Sequence, residues 1–211
     1  MNRRLVVLDV DSTFIAAEQI DLLAEYAGVG PQVAAITDRA MAGELDFAAA
    51  LRERVQALAG LPARVLSEVR AQIRLNPGAG ELIEELHQRR WPVGLVSGGF
   101  HEIIDPLAAE HRIIKVQANR LEVDDERLTG RLRGPIVDRA AKEHFLRAFA
   151  AAEGIDMTRT VAIGDGANDL DMVIAAGVGV GFRPKQALAQ RADVVVTESL
   201  LEVLGHLDSS C

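Results

Sequence analysis

The chain has 211 residues, 49% of them apolar, enough for one substantial core with or without a small inserted domain, and this excludes a disordered segment or a repeat array. A net charge of −8 at pH 7 and a pI near 5.2 set most of the surface against nucleic-acid backbones and anionic membranes, so neither is expected as a partner. An anionic small substrate would need a local positive site, and oligomeric state is not legible.

Met1 to Arg4 are basic, but only four apolar residues follow before Asp9, too few for a signal-peptide core. No stretch is long enough to span a bilayer. The single cysteine, Cys211, is the last residue, so neither a disulfide nor a thiolate metal site is expected, and a cytoplasmic location is. His87, His101, His111, His144 and His206 show no ligand spacing, and none is given a catalytic role.

In chain order, Leu5 to Leu8 read as a strand covered on both faces, as in a parallel sheet, and they run into Asp9 and Asp11. Residues i and i+2 of an extended segment face one side, so the two carboxylates emerge together, with Thr13 behind them. Like charges this close are kept mainly where a cation or a shared proton relieves them, and Mg2+ is the economical choice. The plainer alternative is a pair of solvated aspartates capping the next helix.

From Thr13 to about Arg74 the pattern is helical throughout. A first helix carries Ile20, Leu23, Tyr26 and Ala27 and stops at Gly28 and Gly30-Pro31; a second covers about Pro31 to Met41. A third follows Asp46 as N-cap, with Phe47, Leu51 and Leu58 in one apolar stripe, and Leu61-Pro62 ends it. Arg54 falls inside that stripe, where an arginine either snorkels or finds a buried anion; the anion is the preferred reading. Ala63 to Ile73 form a fourth helix. Residues 14–74 are thus expected to be a helical cap domain, inserted into an α/β core domain made of 1–13 and 75–211.

From Asn76 the α/β alternation sets in, with Pro77 in the first turn of a helix running to Arg90. A strand over Pro92 to Val96 breaks into Ser97-Gly98-Gly99, whose hydroxyl and amides suit an anion, before a helix from about His101 to Glu110. Ile113 to Gln117 make a third strand, and Leu121–Val123 with Arg127–Thr129 an antiparallel hairpin decorating an edge. Asp138 caps a helix running to Glu153 that presents Ala141, Phe145, Ala148, Phe149 and Ala152 to the core. Lys142 sits near its first turn, where its charge opposes the helix dipole and hints at an anion holding it. The strand Thr160 to Ile163 ends in Gly164-Asp165-Gly166-Ala167-Asn168-Asp169 before a helix to Ala176. Gly177 is read as that helix's C-cap, with a short strand after it, then a helix from Arg183 to Ala192, a strand over Asp193 to Val196 and a closing helix from Ser199 to Leu207.

Three parallel strands therefore end in Asp9 and Asp11, in Ser97 and in Asp165, and open α/β sheets bind ligands outside the carboxyl ends of their strands. Carboxylates for a hard cation, a hydroxyl with glycine amides and a lysine are the parts phosphoryl transfer needs. No Walker loop or kinase signature is present.

As a set and in this order, Asp9-Val10-Asp11-Ser12-Thr13, Ser97-Gly98-Gly99, Lys142 and Gly164 to Asp169 resemble the four motifs of the haloacid dehalogenase superfamily of phosphatases. The likeness covers nearly the whole chain, and Glu18, Met41-Ala42-Gly43, Phe47 and Arg54 place it nearest the members that hydrolyse phosphoserine. The chain departs from them at Glu143, where close relatives often carry glycine after the lysine, which puts the local turn around Lys142 in question. Some relatives have an N-terminal regulatory domain, and with the first motif at residue 9 none is expected.

The resemblance implies a Rossmann-like core with an inserted helical cap, and Mg2+-dependent hydrolysis of O-phospho-L-serine, the last step of serine biosynthesis. Asp9 would be the nucleophile and Asp11 the general acid and base. Asp9, Asp165 and the Asp11 carbonyl would hold Mg2+, with Asp169 supporting the metal waters or Lys142. Ser97, Gly98 and Lys142 would hold the phosphoryl group, with Asn168 orienting it; Glu18 would pair with the substrate ammonium and Arg54 with its carboxylate, beside Met41 and Phe47. Two rivals stand: the same chemistry on another small phosphomonoester or with transfer to homoserine, and a receiver-like phospho-accepting signalling module.

Overall fold

The computed structural model describes residues 3–208; Met1, Asn2 and Cys211 lie outside the described residues. Strand β1, Leu5–Leu8, is followed by a tight turn over Val10–Phe14 and then by α1 (Gln19–Ala27), α2 (Gly30–Met41), α3 (Phe47–Ala57) and α4 (Val65–Gln72). Next come α5 (Ala79–Gln88), β2 (Val93–Phe100), α6 (His101–Glu110), β3 (Lys115–Asp124), β4 (Arg127–Arg133) and α7 (Arg139–Glu153). The chain continues as β5 (Thr160–Gly164), α8 (Leu170–Ala175), β6 (Val178–Phe182), α9 (Gln186–Ala189), β7 (Val194–Val196) and α10 (Val203–Asp208).

The seven strands form one sheet in the order β4-β3-β2-β1-β5-β6-β7, parallel except for the β3–β4 pair. Alternation along β1 feeds two cores. Val6 and Leu8 pack with Leu82, Leu86, Ile103 and Leu107 on one face; Leu5 and Val7 pack with Leu146, Ala150, Met172 and Leu188 on the other. This double cover is why Leu5 to Leu8 carry no polar residue. With β1 central and flanked by β2 and β5, the strand ends at Asp9, Ser97 and Asp165 are neighbours.

The helical segment leaves and rejoins the sheet at one place. Ile15 and Leu75 form an antiparallel bridge, Ala16 N–H donates to the Arg74 carbonyl at 2.9 Å, and Asn76 N–H donates to that of Phe14 at 3.0 Å. The buried Asn76 amide adds bonds to the carbonyls of Ser12, Thr13 and Ile15 at 3.1, 2.8 and 2.9 Å. Asp46 caps α3 through Ala49 N–H, and Asp138 caps α7 through Ala141 N–H.

Several local readings change. The expected third strand and the first hairpin strand are one strand, β3, which pairs parallel with β2 at its start and antiparallel with β4 at its end. The hairpin is more than an edge decoration. The α3–α4 loop exchanges backbone bonds with β4, Gly60 N–H to Leu128 O at 2.8 Å and Leu128 N–H to Leu61 O at 2.9 Å, so the hairpin ties the helical segment to the sheet. Strand β2 runs on through Ser97-Gly98-Gly99 with a register shift between Val96 and Phe100. Pro77 precedes α5, whose N-terminus is Gly78 at φ +77°. The buried stripe of α7 is Lys142, Leu146 and Ala150, while Ala148 and Ala152 are exposed. Gly177 is no C-cap. A Cβ there would lie 2.2 Å from the Thr158 carbonyl oxygen, so glycine answers a close backbone approach.

Candidate functional site

The turn after β1 closes through Phe14 and Ile15 N–H groups donating to the carbonyls of Asp9 and Val10 at 3.3 and 2.9 Å. Ser12 takes φ +59°, a left-handed conformation uncommon for a residue with a Cβ. Its hydroxyl donates to Glu18 Oε1 at 2.6 Å, so the turn that presents Asp11 also anchors Glu18. Asp9 is buried and Asp11 half-buried.

Lys142, buried on α7, places Nζ 2.7 Å from both Asp9 Oδ1 and Asp169 Oδ1. A lysine this deep on an otherwise apolar helix stripe is held only by paired anions. Burial alone lowers its pKa, but Asp169 and Asp9 more than offset this, raise it and keep the ammonium charged. Glu143 does not disturb the helix; it pairs one turn on with Arg147. Asp169 also accepts, through Oδ2, from the backbone N–H of Asp165 and Gly166 at 3.1 Å, which fixes the loop after β5.

Burial pushes the Asp9 carboxyl well above its ordinary value, Asp169 pushes the same way, and Lys142 opposes both. Burial, and then the charge of Glu18, raise Asp11 to about 8, against a hydrogen bond from Gln19. The shift favours the protonated form of Asp11, the form in which a carboxyl can give a proton. Asp165 is also raised by burial, with Lys185, whose Nζ lies 3.3 Å from Asp165 Oδ2, opposing.

The buried carboxylates of Asp9, Asp165 and Asp169 offer oxygens that all lie within 4.8 Å of one another. Oxygen-only donors packed this closely, with more negative than positive charge, fit a hard divalent cation. Asp169 already serves Lys142 and two backbone amides, which leaves Asp9 and Asp165 as the better ligands.

Ser97 is buried at the end of β2, and its Oγ accepts from Gly99 N–H at 2.9 Å. The Gly98 carbonyl is gripped by the buried Asn119 amide at 2.7 Å, while Asn119 accepts from Val137 N–H at 2.9 Å. Phe47 packs onto Gly98, where a Cβ would sit 3.1 Å from its ring, so α3 rests directly on the glycine turn.

These groups border a cavity of about 470 Å³ lined by Asp9, Asp11, Glu18, Met41, Arg54 and Lys185, among others; Phe47, Gly98, Asp165 and Asn168 share its wall. Met41, at the end of α2, is largely exposed, whereas Arg54 is half-buried with Nε donating to the Ala50 carbonyl at 3.3 Å. Burial lowers the Arg54 pKa, and Asp21, Glu18 and Asp11 oppose the shift. The structure thus brings Asp9, Asp11, Glu18, Arg54, Gly98, Asp165 and Asn168 to one cavity, with Lys142 and Asp169 packed behind Asp9. Ser97 lies one residue before Gly98, deeper in the wall.

Lys185, Gln19 and Asn119 were not singled out from sequence. Lys185 stands just past the end of β6, the next parallel strand along, so strand order is the signal that would have found it. Gln19 falls on the inward stripe of α1 with Leu23, where a polar residue is conspicuous. Asn119 had no such signal.

A family model described as haloacid dehalogenase-like hydrolase matches residues 6–173. The chain is 51% identical over 205 residues to a phosphoserine phosphatase of Streptococcus thermophilus, covering 97% of this chain and 95% of that one. It is 51% identical over 205 residues to the phosphoserine phosphatase of Streptomyces coelicolor, of which it spans half the length and which covers 97% of this chain. Among solved structures, a phospho-aspartyl intermediate analogue of phosphoserine phosphatase superposes with a TM-score of 0.90 at 38% identity, covering 97% of this chain and 98% of the other. A substrate-bound phosphoserine phosphatase complex gives 0.91, also at 38% and with the same coverage. The sheet order, the acidic strand ends and these likenesses agree: the chain belongs to the haloacid dehalogenase-like hydrolases.

Proposed function

We propose that this chain hydrolyses O-phospho-L-serine to L-serine and phosphate through an aspartyl phosphate on Asp9, in the cytoplasm, as the last step of serine biosynthesis. The observation that carries the reading is one cavity with Asp9, backed by Lys142, at its floor, Asp11 beside it, and Glu18 with Arg54 on its wall. Relatives named phosphoserine phosphatases support it.

An Asp9 carboxylate oxygen attacks phosphorus, the bond from phosphorus to the serine oxygen breaks, and the Asp11 proton goes to that oxygen. Asp11, now a carboxylate, takes a proton from a water that attacks the same phosphorus; the bond to Asp9 breaks and phosphate leaves. Ser97, the Gly98 amide and Lys142 hold the phosphoryl oxygens, and Asn168 orients them. Asp9, Asp165 and the Asp11 carbonyl would hold Mg2+, which would supply charge neutralisation between carboxylate and phosphate. Glu18 pairs with the substrate ammonium and Arg54 with its carboxylate. Residues 14–74 act as a cap over the crevice, with Met41 and Phe47 at its contact surface, and 1–13 with 75–211 as the core.

The test is hydrolysis measured across phospho-amino acids and sugar phosphates, with and without Mg2+, followed by mass spectrometry of trapped protein. Preference for phosphoserine and an 80-Da adduct on the peptide holding Asp9 are expected, the mass of one phosphoryl group. A faster reaction on an unrelated phosphomonoester, or an adduct elsewhere, would overturn the reading.

A further inference from the structure

Gln19 is fully buried, although the helix it opens lines the cavity through Ile20 and Asp21. Its amide is satisfied at both ends by groups from two other parts of the chain. Nε2 donates to Asp11 Oδ1 at 2.6 Å, and Oε1 accepts from Phe100 N–H, at the end of β2, at 3.1 Å. The opposite orientation of the amide would face oxygen to oxygen and N–H to N–H, so the partners fix which end is which.

A second observation comes from Gly99. A Cβ on that residue would lie 2.3 Å from Gln19 Nε2 and 2.9 Å from Asp11 Oδ2. The glycine turn after Val96 thus provides the space in which the amide and the carboxyl meet. One Asp11 oxygen is spoken for by Gln19, which leaves Oδ2 as the atom that can carry and exchange a proton.

We infer that Gln19 is a positioning residue for proton transfer: by clamping Asp11 Oδ1 between α1 and the end of β2, it aims Oδ2 at the leaving oxygen. This rests on the reading of Asp11 as the general acid and base. The clamp joins the first turn of the helical segment to the sheet, so the carboxyl is aimed only when both are in register. Gln19 touches neither the phosphoryl oxygens nor the substrate in this scheme, and its effect runs entirely through Asp11.

The test separates leaving groups. Phosphoserine needs its oxygen protonated, whereas p-nitrophenolate leaves without help. Gln19→Met keeps length and bulk but removes the bond. It is expected to lower kcat for phosphoserine by about 10-fold or more, with KM within twofold and an undiminished p-nitrophenolate burst, since acid catalysis is worth about 100-fold or more when wholly lost. Equal losses in turnover and burst, or a raised KM with kcat kept, would overturn the inference.

Asp11→Asn serves as the reference. If it fails to spare the burst, the reading of Asp11 falls; if it spares the burst and Gln19→Met spares phosphoserine turnover as well, only the role of Gln19 falls. Should Gln19→Met not fold, the wild-type side-chain amide is followed by NMR. Slow exchange of the Gln19 amide protons and a shift on Asp11→Asn are expected, and rapid exchange with no shift would overturn the clamp.

Discussion

Within the cavity, Arg54 and Glu18 divide the proposed work of choosing a substrate. The Arg54 stem is fixed by its Nε bond to the Ala50 carbonyl, and a planar guanidinium can take a carboxylate through two parallel bonds, which lysine cannot reproduce. Arg54→Ala is expected to lose about 2 to 4 kcal/mol of transition-state binding for phosphoserine, the range for truncating one partner of a buried charged pair, and much less for phosphoethanolamine. The comparison is kcat/KM on the two substrates; equal losses would assign Arg54 to holding the helices. Asp9→Asn keeps size while removing the proposed attacking oxygen, so turnover should fall by several orders of magnitude with the circular dichroism unchanged. Arg54 was legible because a charged residue stands inside an apolar stripe, and Asp9 and Asp11 because an unbroken apolar run ends on both. Asn119 was not: an isolated asparagine within a strand carries no mark of the carbonyl it will grip 21 positions earlier.

Among the elements, those with a private signal were read well and those defined by a partner were not. The caps at Asp46 and Asp138 satisfy orphan amides within four residues, so their chemistry is local. Strand β3 reads as two segments in sequence because its halves answer to different neighbours, β2 on one side and β4 on the other. Periodicity misplaces the α7 stripe because that stripe opens on Lys142, a residue that hydrophobic periodicity counts against burial. Gly78 gives an element-level prediction. At φ +77° its missing Cβ would meet Ser199 Oγ at 2.0 Å and Leu201 N at 2.7 Å, where α5 abuts the turn before α10. Gly78→Ala combines backbone strain with overpacking and should cost roughly 2 to 4 kcal/mol, read as a lower urea midpoint at unchanged slope.

Across the molecule, the acidic floor of the cavity couples cation binding to stability. If Mg2+ is held by Asp9 and Asp165, it relieves repulsion that the folded state alone creates, and any ligand bound only by the native state stabilises it by mass action. EDTA followed by dialysis should abolish hydrolysis and lower the melting temperature, with both restored by Mg2+; activity that survives would contradict the metal assignment. Oxygen-only donors make Zn2+ a poor replacement. The order of the strands was legible only as far as their acidic ends required adjacency. That β6 follows β5 outward, bringing Lys185 to Asp165, is a property of the sheet and of no single segment.

The bridge between Ile15 and Leu75 bears on how the chain finds this arrangement. To the growing sheet, the residues between them are a long loop whose closure must precede the pairing of β1 with β2. Once the helices have collapsed on one another and brought Ile15 beside Leu75, the same stretch behaves as a connection of a few residues. Closure entropy scales with the logarithm of loop length, so shortening the effective β1–β2 loop from about 85 residues to about 25 is worth roughly 1 kcal/mol. Early helix formation would therefore speed the sheet without adding to its final stability. Asn76→Ala, which leaves the carbonyls of Ser12, Thr13 and Ile15 without that amide, should slow refolding as well as cost about 1 to 3 kcal/mol, and stopped-flow chevrons separate the two effects.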